Sequence, residues 1–235
     1  MDPRELQVLY EDNHLLAVYK PAGVLSQGDE TGDPTLLDAA KAWLKHKYAK
    51  PGNVFLGLVH RLDRPVAGVL LFAKTSKAAG RLSAEFRTGC VEKVYRAVVE
   101  GTPEPAEQTL TGSVLKDEET KRSRLVAAGT AGAREAEIHY RVLGTQKGVS
   151  LLEVVPKTGR SHQIRVQLAG IGHPILGDVK YGAAAPLPGG EIALYARALS
   201  FKHPTRDETV EIAAGPPPGW PWPVLDGEAG DHPRR

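Results

Sequence analysis

The sequence predicts an α+β domain, in which a curved, mixed and mainly antiparallel sheet carries inserted helices. Short apolar runs of strand length recur along the 235 residues, with Gly, Pro or Asp-Asn turns between them. Other stretches repeat apolar residues at helical spacing. Strands and helices do not alternate regularly, which argues against a βαβ architecture. A chain of this length buries a sizeable single core.

The first predicted elements are a hairpin and a capped helix. Apolar runs flank Asp12 and Asn13, which predicts two strands joined by a tight turn. Thr35 and Asp38 match a capping box at the start of a helix. The apolar stripe that follows has two interpretations. One is an aromatic platform for RNA, and the other, which we prefer, is packing against the core. The apolar residues of the stripe are Leu36, Leu37, Ala40, Trp43, Leu44 and Tyr48.

The rest of the chain continues the strand-rich pattern. A second helix is predicted over 76–87 with Gly89 as its stop, and a third from near Ser161 to Gly170. A second hairpin is predicted around 145–148. Further strands are predicted over 91–101, 193–201 and 208–214, and a loop over 183–190.

One folded domain over residues 1–215 is expected, followed by a Pro-rich tail over 216–235. The sequence has no internal repeat and no linker that requires a second folded domain. Only Trp220 and Trp222 offer the tail apolar anchors.

Composition excludes several classes of protein. The single cysteine, Cys90, excludes a disulfide framework and a CxxC zinc site. No apolar run is long enough to span a bilayer and the N-terminus has no signal-peptide pattern, so we expect a cytoplasmic monomer without a membrane partner. Lys+Arg 30 nearly balance Asp+Glu 28. The basic residues nevertheless concentrate in 116–124, 157–165 and 197–206, which allows a local basic surface.

The most informative stretch is HRLDRPVAGVLLFAKT (60–75). It places Asp63 between Arg61 and Arg64 on a turn, with an apolar run on each side that predicts a buried strand. Gly68 is expected to let the chain reverse. A charged corner held by buried strands presents a reactive group on a rigid frame. The alternative is an ordinary turn whose carboxylate caps backbone amides and whose arginines are solvated.

Three motifs carry a family resemblance. HRLDRPVAG (60–68) resembles the HRLDxxTSG signature of the RluA family of pseudouridine synthases, with Val66 and Ala67 in place of Thr-Ser. KVYRA (93–97) matches the family's K-x-Y-x-A pattern. KTGRSHQIRVQLAGIGHPILGDVKYG (157–182) is similar to the family's TGRxHQIRxHL…GHPILGDxxYG segment. The Val-Ala departure concerns the substrate subclass more than the reaction type.

The resemblance extends from about Val8 to Pro204. It implies that residues 1–215 form a pseudouridine synthase catalytic domain with the fold of that family. The phrase that opens the family's catalytic domains begins at Val8, so no small RNA-binding domain is expected in front of it. All contacts to RNA are then expected to come from the catalytic domain.

The resemblance also implies catalytic roles. Asp63 would be the nucleophile, Tyr95 the ring that stacks on the target uracil, and Arg165 the arginine that pairs with the nucleophile. An arginine fork lowers the pKa of a neighbouring carboxyl and keeps it ionised, which suits a nucleophile. For Tyr95 the alternative is that the side chain packs half-buried in a strand, because its stacking role is implied by the resemblance alone.

The predicted RNA-contacting residues are Arg61, Arg64, Lys93, Arg160, His162 and Gln163. Arg61 is expected to fill the space that a flipped uridine vacates, because flipping costs a few kcal/mol that an inserted side chain offsets in part. For His162 and Gln163 an equal alternative is capping of the helix that begins near Ser161. No metal site is expected, because the spacing of the histidines fits no ligand signature.

The expected activity is isomerisation of a uridine to pseudouridine in a tRNA or rRNA stem-loop. An isomerisation needs no redox cofactor, metal or nucleotide, and no cofactor is expected. A base deaminase would require an H-x-E…C-x-x-C set that one cysteine does not supply. The alternative function is a non-catalytic RNA-binding or ribosome-assembly factor with the same fold. A factor that only binds RNA does not require a nucleophilic carboxylate such as Asp63, so we favour the enzyme over the binding factor.

Overall fold

The fold comes from a computed structural model that describes residues 6–223. In that range it has eleven strands and three α-helices, which form two compact units. Unit 1 contains residues 6–91 and 196–218, and unit 2 contains residues 92–195 and 219–223. The chain therefore leaves unit 1, builds most of unit 2, returns to unit 1 and ends its described part in unit 2.

Helices and strands follow one another along the chain without a regular alternation. Up to Val91 they are β1 (Val8–Glu11), β2 (Leu15–Lys20), α1 (Leu36–Lys47), β3 (Gly57–Leu58), β4 (Ala67–Ala73) and α2 (Ser76–Thr88). Unit 2 follows with β5 (Glu92–Glu100), β6 (Glu107–Asp117), β7 (Arg122–Val126), β8 (Arg134–Gln146), β9 (Val149–Pro156) and α3 (Gln163–Gly170). The last strands are β10 (Leu194–Lys202), most of which lies in unit 1, and β11 (Thr209–Ala213). No helix within residues 6–223 is long and apolar enough to cross a membrane.

The sheet of unit 1 has the strand order β1-β2-β4-β10, with β11 beside β10 and β3 beside β4. Every residue of β4 is buried. Helix α2 contributes Ala78 and Leu82 to the hydrophobic cluster that contains Leu71 of β4. A fully buried strand therefore follows the corner that carries Asp63.

Helix α1 begins where the sequence predicts. Thr35 is its N-cap, because its Oγ1 accepts a hydrogen bond from the Asp38 backbone N–H (3.1 Å) and donates one to the Asp38 carboxylate (2.7 Å). Leu44 is buried, as the stripe predicts, but Tyr48 is 47% exposed. The hydroxyl of Tyr48 donates to Glu11 on β1. The core interpretation of the stripe is therefore confirmed for Leu36, Ala40 and Leu44, whereas Leu37 and Trp43 are half-buried and Tyr48 is exposed.

The sheet of unit 2 has the strand order β5-β9-β8-β6-β7, and the pairings described between these strands are antiparallel. Its buried core includes Ile138 and Tyr140 on β8 and Leu152 on β9. Helix α3 contributes the buried Leu168. The strands place the K-x-Y-x-A motif on β5, and α3 carries the third motif.

Two tryptophans hold the described end of the chain against unit 2. Trp222 is 9% exposed and lies against Gly144, next to a bulge in β8. Trp220 meets Tyr195 edge-on, with 4.9 Å between the ring centroids. Both anchors were predicted from the sequence. Residues 224–235 of the predicted tail lie outside the described residues, and the boundary after residue 215 stays a prediction.

The α+β class is confirmed, and so are the hairpin at Asp12, the hairpin around 145–148 and all three helices. In the sheets one expectation was wrong and one hairpin was missed. The apolar run before the corner forms only the two-residue strand β3, and its Phe55 is 53% exposed. The antiparallel hairpin of β6 and β7 was not predicted at all.

Gly68 lies inside β4 and not in the turn, which corrects another expectation. Its φ is +116°, and a Cβ built on it would meet the carbonyl oxygen of Ala196 at 2.2 Å. We expect Gly68→Ala to destabilise the protein by roughly 2–5 kcal/mol in urea unfolding, through backbone strain and overpacking. Gly80, in α2 with nothing near its Cβ position, is the control. Gly80→Ala is expected to gain about 0.5–1 kcal/mol, and equal stabilities of the two variants would contradict the close approach at Gly68.

Candidate active site

The corner that carries Asp63 is a tight turn in front of β4. The backbone N–H of Val66 donates to the carbonyl oxygen of Asp63 (3.0 Å) and closes the turn. Leu62 is 6% exposed and fixes the chain to the core, whereas Asp63 is half-buried and Arg61 is exposed. The turn therefore presents a carboxylate and a guanidinium next to an anchored residue.

The backbone of this corner is held by a segment that lies about 40 residues earlier in the chain. The Ser26 hydroxyl donates to the Leu62 carbonyl (2.8 Å) and accepts from the Leu62 N–H (3.2 Å). Gly23 exchanges two hydrogen bonds with Arg64, one through the backbone (2.8 Å) and one through the guanidinium Nε (3.0 Å). Arg64 also pairs with Asp33 at 2.8 Å on the exposed surface. These contacts make the loop rigid and leave Arg64 at the surface, where its predicted contact with RNA stays a prediction.

His60 supports the corner from the other side. Its Nε2 accepts a hydrogen bond from the Leu71 backbone N–H (3.0 Å), and its ring stacks on Phe86 with 4.6 Å between centroids. A nitrogen that accepts in this way is not offered to a metal together with Asp63. Among the described residues, no group of three or more His, Cys, Asp or Glu side chains is arranged to hold a metal ion.

Lys20 is a buried cation beneath the corner that sequence reasoning missed. It is 0% exposed, and its Nζ donates to the carbonyl oxygens of Pro21 (3.0 Å), Val24 (2.7 Å) and Arg64 (3.1 Å). Burial lowers the pKa of Lys20 to about 7, and the negative charge of Asp63 opposes that shift. The KPAG phrase at the end of β2 was the available signal. Lys20 thus links the segment of Pro21 and Val24 to the corner at Arg64 and places a titratable charge close to Asp63.

We expect Lys20→Met to flatten the pH dependence of stability. The pKa of Lys20 is about 7 in the folded protein against an ordinary 10.5, so the unfolded chain binds more protons between these values. Wild-type stability therefore gains up to about 1.4 kcal/mol per pH unit from this group as the pH rises above 7, and the gain is lost as the pH falls through 7. Urea unfolding at about pH 6 and about pH 9 measures the slope. Lys45→Met, on the exposed face of α1, is the control, and identical slopes in all three proteins would contradict the prediction.

In unit 2, Arg165 forms a buried ion pair with Asp178. Its Nε and Nη2 lie 2.6 Å and 2.8 Å from the two carboxylate oxygens, a bidentate fork. Arg165 is 5% exposed and Asp178 is 1% exposed. Asp178 received no role from the sequence, although it belongs to the third motif. Its carboxylate fixes the orientation of the arginine that the resemblance assigns to the reaction.

The loop before α3 is held by the side chain of Gln163. Its Oε1 accepts from the Arg160 backbone N–H (2.9 Å) and the Thr158 hydroxyl (2.8 Å), and its Nε2 donates to the Glu137 carbonyl (3.0 Å). Gln163 is 4% exposed and its side chain holds the loop instead of capping the helix, which neither interpretation foresaw, and its contact with RNA stays a prediction. His162 is the N-cap residue of α3 but makes no side-chain capping bond.

Three cations converge near this loop. Lys93 on β5 is 8% exposed, and its Nζ approaches the Thr158 carbonyl at 3.4 Å. Burial lowers the pKa of Lys93, and the charges of Arg160 and Lys157 lower it further. Tyr95, two residues along β5, is half-buried opposite Val154 of β9. The three cations are Lys93, Lys157 and Arg160, and their like charges repel one another. An anion such as a phosphate bound among them would relieve that repulsion.

The structure therefore gathers the predicted residues in two places. In unit 1, Arg61, Asp63 and Arg64 share one rigid turn. In unit 2, strand β5, the loop leading into α3 and the first turn of α3 carry Lys93, Tyr95, Arg160, His162, Gln163 and Arg165. The first place offers a carboxylate, and the second offers cations and a planar ring.

A model of the family described as RNA pseudouridylate synthase matches residues 14–170, a range that includes Asp63, Tyr95 and Arg165. The chain belongs to this family. The resemblance stated from the three motifs is thereby confirmed. As an RNA pseudouridine synthase, the protein is an isomerase.

Relatives of this pseudouridine synthase are found in bacteria. It is 35% identical over 225 residues to ribosomal large subunit pseudouridine synthase D of Zymomonas mobilis, covering 90% of this chain and 69% of the relative. It is 33% identical over 216 residues to ribosomal large subunit pseudouridine synthase C of Vibrio parahaemolyticus, covering 89% of this chain and 65% of the relative. The synthase thus spans about two thirds of the length of these relatives.

A solved structure shares the fold. Human RNA Pseudouridylate Synthase Domain Containing 4 superimposes with a TM-score of 0.76 at 26% identity, covering 90% of this chain and 89% of that one. Human RNA Pseudouridylate Synthase Domain Containing 1 gives a TM-score of 0.70 at 25% identity. The pseudouridine synthase fold implied by the motifs is confirmed.

Proposed function

We propose that this synthase isomerises a specific uridine in large-subunit ribosomal RNA, with Asp63 as the nucleophile. The observation that carries the proposal is the position of Asp63 on a turn whose backbone is held by Ser26, Gly23 and Lys20. The choice of ribosomal RNA rests on the relatives named ribosomal large subunit pseudouridine synthases. A transfer RNA target is the other substrate that the sequence predicts.

The reaction exchanges one bond of the uridine for another. The bond from ribose C1′ to uracil N1 breaks, the base rotates, and C1′ bonds to C5. The proton lost from C5 balances the proton gained at N1, so no oxidant, reductant or second substrate is consumed. Asp63 takes part by attacking C1′, by adding to uracil C6, or by removing a sugar proton to give a glycal. Each route requires an ionised carboxylate, and the Lys20 cation lies close enough for its charge to attract that of Asp63.

The other predicted residues keep the roles that the motifs imply. Tyr95 is proposed to stack on the uracil and Arg165 to pair with the nucleophile. Arg61, exposed on the turn, is proposed to enter the space of the flipped nucleotide. The remaining cationic and polar residues are proposed to contact the RNA backbone, and they are Arg64, Lys93, Arg160, His162 and Gln163.

The test is pseudouridine mapping by carbodiimide treatment and primer extension. Total RNA is taken from cells lacking the protein and from cells complemented with wild type or Asp63→Ala. A site in large-subunit RNA that is lost in the deletion and restored only by wild type supports the proposal. Loss confined to transfer RNA overturns the choice of substrate. A full set of sites in the deletion strain overturns the enzymatic role and favours an RNA-binding or assembly factor.

A further inference from the structure

The side chain of Tyr181 contacts both the guanidinium of Arg165 and the imidazole of His162. It ends a 3₁₀ turn that begins directly after Asp178. We propose that Tyr181 is a positioning residue, which fixes the plane of the Arg165 guanidinium and the tautomer of His162. The relevance to catalysis rests on the proposed function, which gives Arg165 and His162 their roles.

The ring of Tyr181 supports the buried guanidinium at its face. Arg165 Cζ lies 4.9 Å from the ring centroid, within the range of a cation–π contact. The Asp178 carboxylate holds the edge of the same guanidinium through Nε and Nη2. A guanidinium has five N–H donors in one plane, and this fork uses two of them. Ring and carboxylate together therefore set the directions in which the other three N–H groups point.

The hydroxyl of Tyr181 determines the hydrogen-bonding state of His162. The Ser123 backbone N–H donates to the Tyr181 oxygen (2.8 Å), so that oxygen is an acceptor in this bond. We assign the phenol's own hydrogen to the 2.7 Å contact with His162 Nδ1, an assignment that belongs to the proposal and that the tautomer measurement below tests. A neutral imidazole has one donor and one acceptor nitrogen, so acceptance at Nδ1 places the hydrogen on Nε2. An Nε2–H donor suits a phosphate or sugar oxygen of RNA.

The backbone at His162 needs such support. Its φ is +53°, a left-handed conformation that non-glycine residues seldom adopt. The Ser123 hydroxyl also donates to the carbonyl of Ser161 (2.7 Å), so β7 holds this bend at two neighbouring points. Tyr181 is the link between β7 and the side chain of His162.

Tyr181 also packs against Val114, Ala136 and Val166, which gives a rival explanation. If packing is its whole role, substitutions at Tyr181 change the amount of folded protein and nothing else. The two halves of the side chain allow a test, since phenylalanine removes only the hydroxyl and leucine removes the hydroxyl and the ring.

The kinetic test compares Tyr181→Phe and Tyr181→Leu with wild type on a target RNA, per mole of folded enzyme. Tyr181→Phe keeps the ring against Arg165 and is expected to raise KM about 3–10-fold with kcat within about twofold. Tyr181→Leu loses both contacts and is expected to lower kcat about 10–100-fold as well. Tyr140, a core tyrosine of unit 2 whose hydroxyl donates to the Pro105 carbonyl (2.8 Å), provides the control. Tyr140→Phe is expected to change stability and neither kinetic constant.

A spectroscopic measurement tests the role of Tyr181 without relying on enzyme activity. Side-chain ¹⁵N NMR, assigned with His162→Gln, reports which imidazole nitrogen carries hydrogen. Wild type at about pH 8, which is above the reference pKa of a free imidazole, is expected to show the Nε2–H tautomer at His162. Tyr181→Phe is expected to show a mixture of tautomers.

The outcomes separate the two proposals. An Nδ1–H tautomer in wild type, or no change of tautomer in Tyr181→Phe, overturns the positioning role whatever the activity. Kinetic constants for both Tyr181 variants that match Tyr140→Phe also overturn it. Absence of product with wild-type enzyme on every RNA overturns the proposed function instead, and the tautomer result then still decides the structural role of Tyr181.

Discussion

Asp63→Asn is expected to abolish pseudouridine formation while RNA affinity stays within about threefold of wild type. The amide keeps the size of the side chain and removes the charge that the nucleophile needs, so we expect turnover to fall by at least about 10³-fold. The backbone atoms of Asp63, Leu62 and Arg64 make hydrogen bonds that hold the turn, and the amide substitution leaves these bonds in place. Tritium release from RNA labelled at uracil C5 measures turnover, and filter binding measures affinity.

Asp33→Asn is the matched control for this experiment. Asp33 is also an acid near the corner, and it pairs with Arg64 at 2.8 Å on the exposed surface. An exposed ion pair contributes about 0–1 kcal/mol, so turnover close to wild type is expected. Turnover by Asp63→Asn above about one thousandth of the wild-type rate would refute the nucleophile assignment. A loss of RNA binding in parallel with activity would show that the carboxylate serves the loop or the RNA instead.

Asp178→Ala is expected to cost about 3–5 kcal/mol of folding free energy and most of the activity. The substitution removes the carboxylate fork from an arginine that is 5% exposed, so a charge stays in the interior without its main counter-charge. The loss is a large share of the roughly 5–15 kcal/mol typical of a folded domain. Urea unfolding measures it, and turnover is compared at a temperature where the variant is folded.

A double substitution separates stability from catalysis. Replacing a buried ion pair by apolar residues of similar volume is often neutral, so Arg165→Met with Asp178→Leu is expected to recover most of the lost stability. It is not expected to recover turnover, because Arg165 is gone. Glu153→Gln, which weakens the half-exposed pair with Arg96 (2.7 Å), is the control and is expected to cost about 1 kcal/mol. Activity restored in the double variant would exclude Arg165 from the reaction.

The elements with local signals were predicted correctly. The turn at Asp12 and the start of α1 at Thr35 depend on side chains that bond to their own neighbours, and such bonds can be read from a few residues. The hairpin of β6 and β7 lacks that signal. Most residues of β6 are partly or fully exposed, and the mixed charges of 116–124 hide the alternation. The apolar run before the corner shows the opposite error, since a strand was predicted there and only two residues form one. Apolar residues such as Leu56 can be buried without forming a strand.

The supporting residues of the site were missed for a related reason. The burial of Lys20 depends on the carbonyl of Arg64, which is 44 residues away in the sequence. The role of Asp178 depends on Arg165 of α3, which is 13 residues away in the sequence. Motif spacing identifies residues that a family uses in chemistry, whereas these two act through partners that only the folded chain brings near.

The interrupted course of unit 1 has a consequence during protein synthesis. Strand β4 ends at Ala73, but its neighbour β10 begins at Leu194, so the ribosome makes nearly all of unit 2 between them. At about 5–20 residues per second this takes roughly 10 seconds. During that interval the edge of β4 that β10 later covers is paired only with the two-residue strand β3, although the strand is wholly apolar. Nascent chains are therefore most prone to aggregation in this window. Codon choice and chaperone supply between residues 74 and 194 should govern the yield of active enzyme without changing the stability of the finished molecule.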